Sequence, residues 1–299
     1  MAVSGFARSF KSGSAGAKSG VSRPADLNAR VKTGTKSGGH GAGRAAPDDR
    51  LLLAFPERDL LLEQDSEWFV LRTEAGWRQI RFHDYAQIYQ IPGLYEHLFY
   101  KVLKCESPAV IRRELETQLR RADVAPATLR VLDFGAGNGM VGEQLADLGA
   151  QMIVGADILT AAAEAARRDR PGLYQEYYIR DFTALDENAR RSLLACELNC
   201  LTCVAALGFG DIPTEAFTTA YNLIENGGWV AFNIKEDFLA DPAASPFATL
   251  IEAMIGNGTL QVLSRTRYCH RLSTAHQPLH YVAFVGRKTQ AIPGTAHSG

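Results

Sequence analysis

The sequence predicts an α/β fold: a doubly wound, mostly parallel seven-stranded sheet with a terminal antiparallel strand pair, plus a small N-terminal hairpin and helical cap. From residue 129 onwards, apolar strand patterns alternate with helical patterns, which is typical of parallel sheets with helices on both faces. The last two strand patterns have no helix between them, so they should pair antiparallel. One strand also runs directly into the glycine-rich segment 135–139, as expected where an open α/β sheet binds a ligand.

The first 49 residues are rich in Gly, Ser, Ala and Lys. A segment of this composition buries too little apolar surface to offset the entropy lost on ordering, so we expect a disordered leader. Residues 1–50 contain nine Lys or Arg and three Asp or Glu, which makes the leader basic and leaves an acidic remainder. A basic tail can contact nucleic acid or anionic lipid, but a solubilising tail is the simpler interpretation.

Residues 50–122 are expected to form the cap. Its predicted elements are a hairpin of strands 68–72 and 77–82 and helical segments at 85–90, 94–103 and 107–121. Ser107-Pro108 indicates a helix start, with Ser as the N-cap and Pro at the first helical position.

Residues 123–290 are expected to form the main domain, followed by a flexible tail at 291–299. The predicted strands are 129–134, 151–156, 175–180, 198–205, 228–234, 259–269 and 278–287. The predicted helices are 138–148, 159–169, 187–196, 214–226 and 245–256. Ser245-Pro246 supplies a helix start and Gly227-Gly228 a helix stop.

The segment Asp133-Phe134-Gly135-Ala136-Gly137-Asn138-Gly139 is the most informative stretch of the chain. Glycines allow a tight turn and a close approach of the backbone to a ligand. Asp157 follows the second strand of the main domain, 22 residues after Gly135, which is near the offset expected for an acid that binds a ribose. We therefore expect a nucleoside-containing ligand at this end of the sheet.

Two classes of cofactor use this design. The segment from Gly137 to Gly142 even satisfies the Gly-x-Gly-x-x-Gly pattern of dinucleotide-binding proteins, which favours NAD. Counted from Gly135, however, the third glycine position holds Met140. Asp133 is also expected close to the ligand, where a carboxylate would repel a pyrophosphate but stabilise the ammonium group of S-adenosylmethionine.

The glycine segment resembles the acid-x-Gly-x-Gly-x-Gly loop of the class I, seven-stranded S-adenosylmethionine-dependent methyltransferases. Asp157 looks like the ribose-binding acid of that family, and Asp181-Phe182 look like the pair that holds adenine. The closing antiparallel strands are also typical of the family. The resemblance implies a cofactor-binding set that consists of Asp133, Gly135, Ala136, Gly137, Gly139, Asp157, Ile158, Asp181 and Phe182.

A closer resemblance is to the Williams-Beuren-region methyltransferase-like proteins and their bacterial relatives, over approximately residues 90–290. The segments that carry it are 171–174, 209–213, 227–229 and 263–268. The sequence departs from that family at the fourth strand, Leu198-Asn199-Cys200-Leu201, where an aromatic residue and an acid are usual.

The methyl acceptor should approach from the cap and from the ends of the fourth and fifth strands. The candidate contact residues are Tyr89, Tyr95, Tyr100, Phe209 and Asp211. The tyrosines have the alternative role of an apolar helix face with hydroxyl groups that reach water, and Asp211 that of an N-cap for the next helix. A general base is needed only if the acceptor holds its proton at neutral pH, so no catalytic residue is assigned.

No metal site is expected from the sequence. Cys196, Cys200 and Cys203 have the spacing of a radical-enzyme iron–sulfur site, but the last two fall in a predicted buried strand, where positions three apart face opposite sides. Three histidines near the C-terminus, His270, His276 and His280, lack the partners that would complete a ligand set.

Composition limits the remaining classes of protein. The chain is 46% hydrophobic and 22% charged, which is ordinary for a globular protein, and it has no apolar run long enough for a transmembrane helix. The acidic main part lacks the basic face that is typical of nucleic-acid binders, so a small-molecule acceptor is favoured. The odd, scattered set of five cysteines indicates free thiols and a cytoplasmic location, with a mitochondrial transit peptide at the Ser-rich start as the alternative.

These observations favour an enzyme that transfers a methyl group from S-adenosylmethionine to a small molecule by in-line displacement. Two alternatives stay open at this point: an NAD-dependent oxidoreductase, and a non-catalytic S-adenosylmethionine-binding protein that acts through the leader or the cap.

Overall fold

The structure is a computed structural model that describes residues 51–58, 60–240 and 245–293. The predicted leader at 1–49 and the end of the predicted tail, 294–299, lie outside the described residues. In the part of the chain that is described, no helix is both long and apolar enough to cross a membrane.

The cap begins with a three-stranded antiparallel sheet. Its strands are β1 (Leu53–Ala54), β2 (Trp68–Thr73) and β3 (Gly76–Arg81). The predicted hairpin is β2–β3, with Thr73 paired to Gly76 across the turn. The short edge strand β1 pairs with β2 and has no sequence pattern that predicts it.

The cap continues with helices that wrap towards the main sheet. They are α1 (Tyr85–Gln90), α2 (Leu94–Glu96) with a π-helical continuation at His97–Val102, and α3 (Ser107–Arg121). The predicted N-cap at Ser107 is wrong: Glu106 precedes the helix, no side chain caps it, and Ser107 is its first residue. The Ser107 hydroxyl instead lies 2.6 Å from both the Tyr268 hydroxyl and the His270 Nδ1.

The main sheet has seven strands. They are β4 (Arg130–Phe134), β5 (Met152–Asp157), β6 (Glu176–Ile179), β7 (Cys200–Cys203), β8 (Trp229–Lys235), β9 (Leu260–Leu272) and β10 (Pro278–Lys288). Their order is β6-β5-β4-β7-β8-β10-β9. The first five strands are parallel to one another, and β10 is antiparallel to both of its neighbours. The predicted seven-stranded sheet with a closing antiparallel pair is confirmed.

The helices of the main domain follow the predicted order. They are α4 (Met140–Leu148), α5 (Thr160–Asp169), α6 (Glu187–Ala195), α7 (Thr214–Asn222), α8 (Glu236–Ala240) and α9 (Pro246–Gly256). Ser245 caps α9 as predicted, since its hydroxyl accepts the Ala248 N–H. The charged segment that follows β8 forms the short helix α8.

One predicted strand and one predicted helix are longer than the elements in the structure, and each early end has a physical cause. The strand predicted at 198–205 ends at Cys203, because Ala205 adopts a left-handed conformation with φ of 57°. The helix predicted at 214–226 ends at Asn222, where the ammonium group of Lys288 donates to the carbonyl oxygens of Tyr221 and Asn222.

Alternating side chains of each strand supply two separate cores. Val131 packs with α3 and α4 on one face of the main sheet, whereas Leu132 packs on the other face among residues of α7 and α9. The cap has its own apolar core, which includes Phe69 and Phe82. Both faces of the main sheet are therefore covered, which leaves the carboxyl ends of its parallel strands as the place for a ligand.

The cap is fixed to the main domain by a buried ion pair. The Arg271 guanidinium of β9 donates to the Glu67 carboxylate, and both side chains are at most 3% exposed. The second Glu67 oxygen accepts the Thr274 N–H at 2.6 Å. On the other side, Tyr89 of α1 packs on the small side chains Ala162 and Ala165 of α5. The cap therefore contacts the main domain at two places, β9 and α5.

Candidate functional site

A cavity of about 260 Å³ lies above the carboxyl ends of β4 to β7, beneath the cap. We call it the main cavity. It is lined by Phe134, Gly135, Asp157, Ile158, Leu159, Arg180, Asp181, Phe182, Val204, Ala205, Ala206, Asp211, Ile212, Pro213 and Ala216, and from the cap by His83, Tyr85, Tyr89 and Tyr95. This is the position at which open α/β sheets bind their ligands.

Two smaller cavities share walls with the main cavity. The loop cavity lies over the glycine segment and includes Ala136, Gly137, Tyr89 and Tyr100. The cap cavity reaches into the cap; its further lining residues include Gln64, Phe82, Phe99, Cys105, Phe209, His270, Arg271 and Tyr281. The three cavities therefore lie side by side between the cap and the main sheet.

Most of the predicted site residues line this region. Gly135, Asp157, Ile158, Asp181, Phe182, Tyr89, Tyr95 and Asp211 line the main cavity; Ala136, Gly137 and Tyr100 line the loop cavity; Phe209 lines the cap cavity. Asp133 and Gly139 line none of the three.

The backbone of the glycine loop has a left-handed conformation that residues other than glycine adopt poorly. Gly135, Gly137 and Gly139 all have positive φ, of 75°, 55° and 93°. A side-chain carbon on Gly137 would also collide with the Tyr89 hydroxyl, and one on Gly139 would lie 2.9 Å from Leu173 Cδ2. The loop is therefore a shallow cradle between the cap and the β5–β6 connection.

The Asp157 carboxylate, which lines the main cavity, is held by two backbone N–H groups. One oxygen accepts the Gly137 N–H at 3.0 Å and the other accepts the Leu159 N–H at 2.9 Å. Burial raises the pKa of this carboxyl, and the backbone donors partly oppose the shift. Each carboxylate oxygen has a further lone pair, so Asp157 keeps acceptor capacity for a ligand.

Asp133 was expected to lie close to the ligand. Its carboxylate is 1% exposed, lies under the glycine loop and lines none of the three cavities. One oxygen accepts the Tyr174 hydroxyl at 2.8 Å and the other the Thr202 hydroxyl at 2.9 Å. Burial raises the pKa of Asp133 to about 6. The side chain thus ties β4 to β7 and to the β5–β6 connection.

The far end of the main cavity has an apolar and a polar part. Ile158 is a large apolar side chain that is 61% exposed at the rim. Phe182 is buried against Phe134, with ring centroids 4.7 Å apart. The exposed Asp181 carboxylate accepts the N–H and the hydroxyl of Thr183, and the hydroxyl bond lowers the pKa of Asp181. This end can hold a flat ring that carries a hydrogen-bond donor.

Three tyrosines of the cap, Tyr89, Tyr95 and Tyr100, line the cap side of the main and loop cavities. Tyr89 and Tyr95 lie with ring centroids 4.9 Å apart, and Tyr95 and Tyr100 at 6.0 Å. Burial raises the pKa of all three hydroxyls, so they keep their protons at neutral pH. They can exclude water and donate hydrogen bonds, but they are poor bases.

His83 also lines the main cavity, although no sequence pattern pointed to it. Its Nδ1 lies 3.1 Å from the Asp211 carboxylate, and both residues line the main and the cap cavities. The alternative role of Asp211 as a helix cap is wrong, because α7 begins at Thr214 and has no side-chain cap. The pairing joins positions 128 residues apart, so no local sequence pattern could have found it.

A polar network fixes the backbone where β7 reaches the cavity. The Ala205 N–H donates to the Asn233 side-chain oxygen at 2.6 Å. The Asn233 amide in turn donates to Ser107 at 3.0 Å and to Tyr268. The left-handed Ala205 is thus held by β8, α3 and β9 together, which is how a strained residue persists beside a functional site.

Within the described residues, no three His, Cys, Asp or Glu side chains come together as a metal site. Cys200 and Cys203 are both buried in β7, and burial raises the pKa of both thiols.

Comparison with known proteins finds partial similarity to methyltransferases. No family model matches the chain. Ubiquinone biosynthesis O-methyltransferases of Burkholderia thailandensis and Burkholderia pseudomallei are 30% identical to it over 127 residues, which is 41% of this chain and 53% of each relative. The seven-stranded sheet, with a glycine loop after β4 and the antiparallel strand β10 between β8 and β9, has the arrangement that the resemblance to class I methyltransferases implied.

The chain spans about half the length of the curated relatives that it matches. Solved structures similar to it include the magnesium protoporphyrin IX methyltransferase of Synechocystis with bound S-adenosylmethionine (14% identity, TM-score 0.42, 60% of this chain and 79% of that one). Another is the N-methyltransferase NodS of Bradyrhizobium japonicum with S-adenosyl-L-homocysteine (16% identity, TM-score 0.42, 60% and 88%). None of these proteins is a Williams-Beuren-region protein, so that closer resemblance stays a prediction.

Proposed function

We propose that this protein transfers a methyl group from S-adenosylmethionine to a small-molecule acceptor. The observation that carries the proposal is the Asp157 carboxylate, which is fixed by the Gly137 and Leu159 N–H groups and lines the main cavity beside the glycine loop. The names of the curated relatives, which are O-methyltransferases, support the same reaction class.

The residues of the cavity fit S-adenosylmethionine. Asp157 would accept the ribose hydroxyls with its remaining lone pairs. The exposed Ile158 and the Asp181-Phe182 pair would hold the adenine ring, with the Asp181 carboxylate as acceptor for the adenine amino group. The glycine loop, whose Gly137 position has no room for a side chain, would cradle the methionyl part.

When bound, S-adenosylmethionine supplies a methyl group on a sulfonium, which is already activated for displacement. The protein therefore has to align the acceptor and exclude water. The cap tyrosines, which pack against one another, and the turn at Ala205, which Asn233 holds in place, supply a rigid, mostly apolar wall for that purpose.

The part of the chain that binds the acceptor is, in this proposal, the cap at 50–122 together with the ends of β7 and β8. The domain division follows from this: a basic leader, the acceptor-binding cap, a methyltransferase domain at 123–290 and a short tail. The five free cysteines support a reducing compartment, and hence the cytoplasm.

Calorimetric titration with S-adenosylmethionine, S-adenosyl-L-homocysteine and NAD tests the cofactor. We expect the first two to bind and NAD not to bind. Asp157→Asn, which keeps one acceptor oxygen but loses the charge, should weaken S-adenosyl-L-homocysteine binding by about 1.5–3 kcal/mol, or roughly 10- to 150-fold. If this variant binds with unchanged affinity, Asp157 does not bind the ribose.

A matched control is Asp147→Asn, because Asp147 is an exposed acid on α4 that lines none of the three cavities. It should bind as the wild type does. Binding of NAD alone would overturn the proposal as a whole.

A further inference from the structure

The pair formed by His83 and Asp211 lies where the main cavity meets the cap cavity. The Nδ1 of His83 is 3.1 Å from one Asp211 oxygen and 3.4 Å from the other. The two side chains are 19% and 32% exposed, so they are partly shielded from water yet open to the cavities. Neither residue has a role in the cofactor set proposed above.

The two residues come from different parts of the fold. His83 follows β3 in the cap, and Asp211 lies in the segment between β7 and α7. An Asp carboxylate beside Nδ1 favours the tautomer with the proton on that nitrogen, which leaves the lone pair on Nε2. A histidine oriented in this way by a carboxylate is the usual arrangement for accepting a proton from a reacting group.

Aromatic side chains surround the pair. The His83 ring lies 5.4 Å from the Phe209 ring and 5.6 Å from the Tyr85 ring, both edge to face. The cap cavity adds Phe82 and Phe99 to the same wall. Walls of this kind favour a flat aromatic ligand over an extended polar one.

The other ionisable groups of the main cavity are less suited to remove a proton. Burial raises the pKa of the Tyr85 and Tyr95 hydroxyls, so both remain protonated. In the proposed complex the Asp157 carboxylate accepts the ribose hydroxyls and the Asp181 carboxylate accepts the adenine amino group, so the cofactor occupies both. The His83–Asp211 pair is left as the group that can both accept a proton and be held in place while it does so.

We propose that His83 is the general base that takes the proton of an aromatic hydroxyl acceptor, with Asp211 as its positioning residue; this rests on the proposed methyl transfer. The hydroxyl proton passes to Nε2 of His83 as the oxygen forms its bond to the methyl carbon. The carbon–sulfur bond breaks and its electron pair stays on sulfur. The products are an aryl methyl ether and S-adenosyl-L-homocysteine, and the proton leaves His83 to solvent.

Proton removal can be observed without turnover. The probe is 4-nitrophenol, whose ionised form is coloured, added to the protein saturated with S-adenosyl-L-homocysteine at a slightly acidic pH where the free probe is mostly neutral. We expect the wild type to raise the absorbance of the ionised form, and His83→Gln to bind the probe without this rise. Gln has a similar length but no basic nitrogen, so it cannot take the proton of the probe.

The matched control is His280→Gln, because His280 lines none of the three cavities and should behave as the wild type. Asp211→Asn should reduce the rise in absorbance without abolishing binding. If the wild type binds S-adenosyl-L-homocysteine but does not ionise 4-nitrophenol, the assignment of His83 is wrong while the methyltransferase proposal stands.

Turnover gives the second readout. With a panel of phenols and labelled S-adenosylmethionine, His83→Gln should lower kcat by about 100- to 10,000-fold, the range of general-base contributions, while KM stays within a few-fold. A rise in KM with unchanged kcat would make His83 a binding residue only. Methylation of anilines but not of phenols by the wild type would overturn the acceptor class.

Discussion

Asp133 is a carboxyl group at the base of the glycine loop with two hydroxyl donors and almost no exposure to water. Its pKa is raised to about 6 from 3.8 because burial disfavours the charged form more than the Tyr174 and Thr202 hydroxyls favour it. A raised carboxyl pKa adds stability below the unfolded value, and this stability is lost as pH rises through the folded value.

We therefore expect the wild type to lose about 3 kcal/mol of stability relative to Asp133→Asn between about pH 4 and pH 6. Urea unfolding at a series of pH values measures this difference. Asp147→Asn, which changes an exposed acid, should show no such trend. Parallel stability curves for the wild type and Asp133→Asn would mean that Asp133 titrates in the fold as it does in the unfolded chain.

The residues of the candidate site differ in how far the sequence could predict them. Asp157 was found because its distance from the glycine loop is fixed by one strand–helix–strand unit. Asp133 belongs to the same motif, but its side chain direction depends on Tyr174 and Thr202, which come from other elements. His83 was missed because the fold of the cap alone decides that it meets Asp211. Local sequence patterns predict where the backbone of a motif lies, whereas contacts between distant parts of the chain determine where its side chains point.

At the scale of elements, the cap depends on the Glu67–Arg271 pair. Glu67 is fully buried at the start of β2, and Arg271 is buried near the end of β9 and stacks over Phe82. Removing one charge of a buried pair leaves the other without compensation, which usually costs about 3–5 kcal/mol. Glu67→Gln should destabilise the protein by about that amount, as measured by denaturant unfolding.

The control for this substitution is Asp84→Asn, which breaks the exposed Arg81–Asp84 pair of the same cap. An exposed pair contributes about 0–1 kcal/mol, so this variant should unfold close to the wild type. Equal losses in the two variants would show that the buried pair adds nothing beyond an ordinary surface contact.

The elements of the main sheet were predictable because each carries its own period of apolar residues. The exceptions have tertiary causes. The end of α7 is set by Lys288, which lies 66 positions from Asn222 in the chain, and the end of β7 by the Asn233 side chain that holds Ala205. The edge strand β1 has only two residues, too few for any period to appear.

At the scale of the whole molecule, strand order separates the two cofactor classes that the glycine motif left open. A dinucleotide-binding sheet has the order 3-2-1-4-5-6. Here an antiparallel strand, β10, stands between β8 and β9. The Asp133 carboxylate was expected to repel a pyrophosphate, but it lines none of the three cavities and so does not distinguish the two cofactors. The order of the strands remains as the structural reason to prefer a methyltransferase.

The cavity lies between the cap and the main sheet, so a ligand that fills it adds contacts to both and should stabilise the whole fold. At a concentration about 100 times its Kd, S-adenosyl-L-homocysteine should add about 2.7 kcal/mol. For a domain of this size, that corresponds to a rise in Tm of roughly 5–10 °C. NAD at the same concentration should leave Tm unchanged.

Asp157→Asn links this global effect to one residue. At the same ligand concentration, a 10- to 150-fold weaker Kd reduces the stabilisation to roughly 0.3–1.4 kcal/mol, so the rise in Tm should shrink to a few degrees or less. Differential scanning calorimetry of both proteins with and without ligand measures the two shifts. An equal rise in the variant would mean that S-adenosyl-L-homocysteine binds without the Asp157 carboxylate, and therefore away from the proposed ribose position.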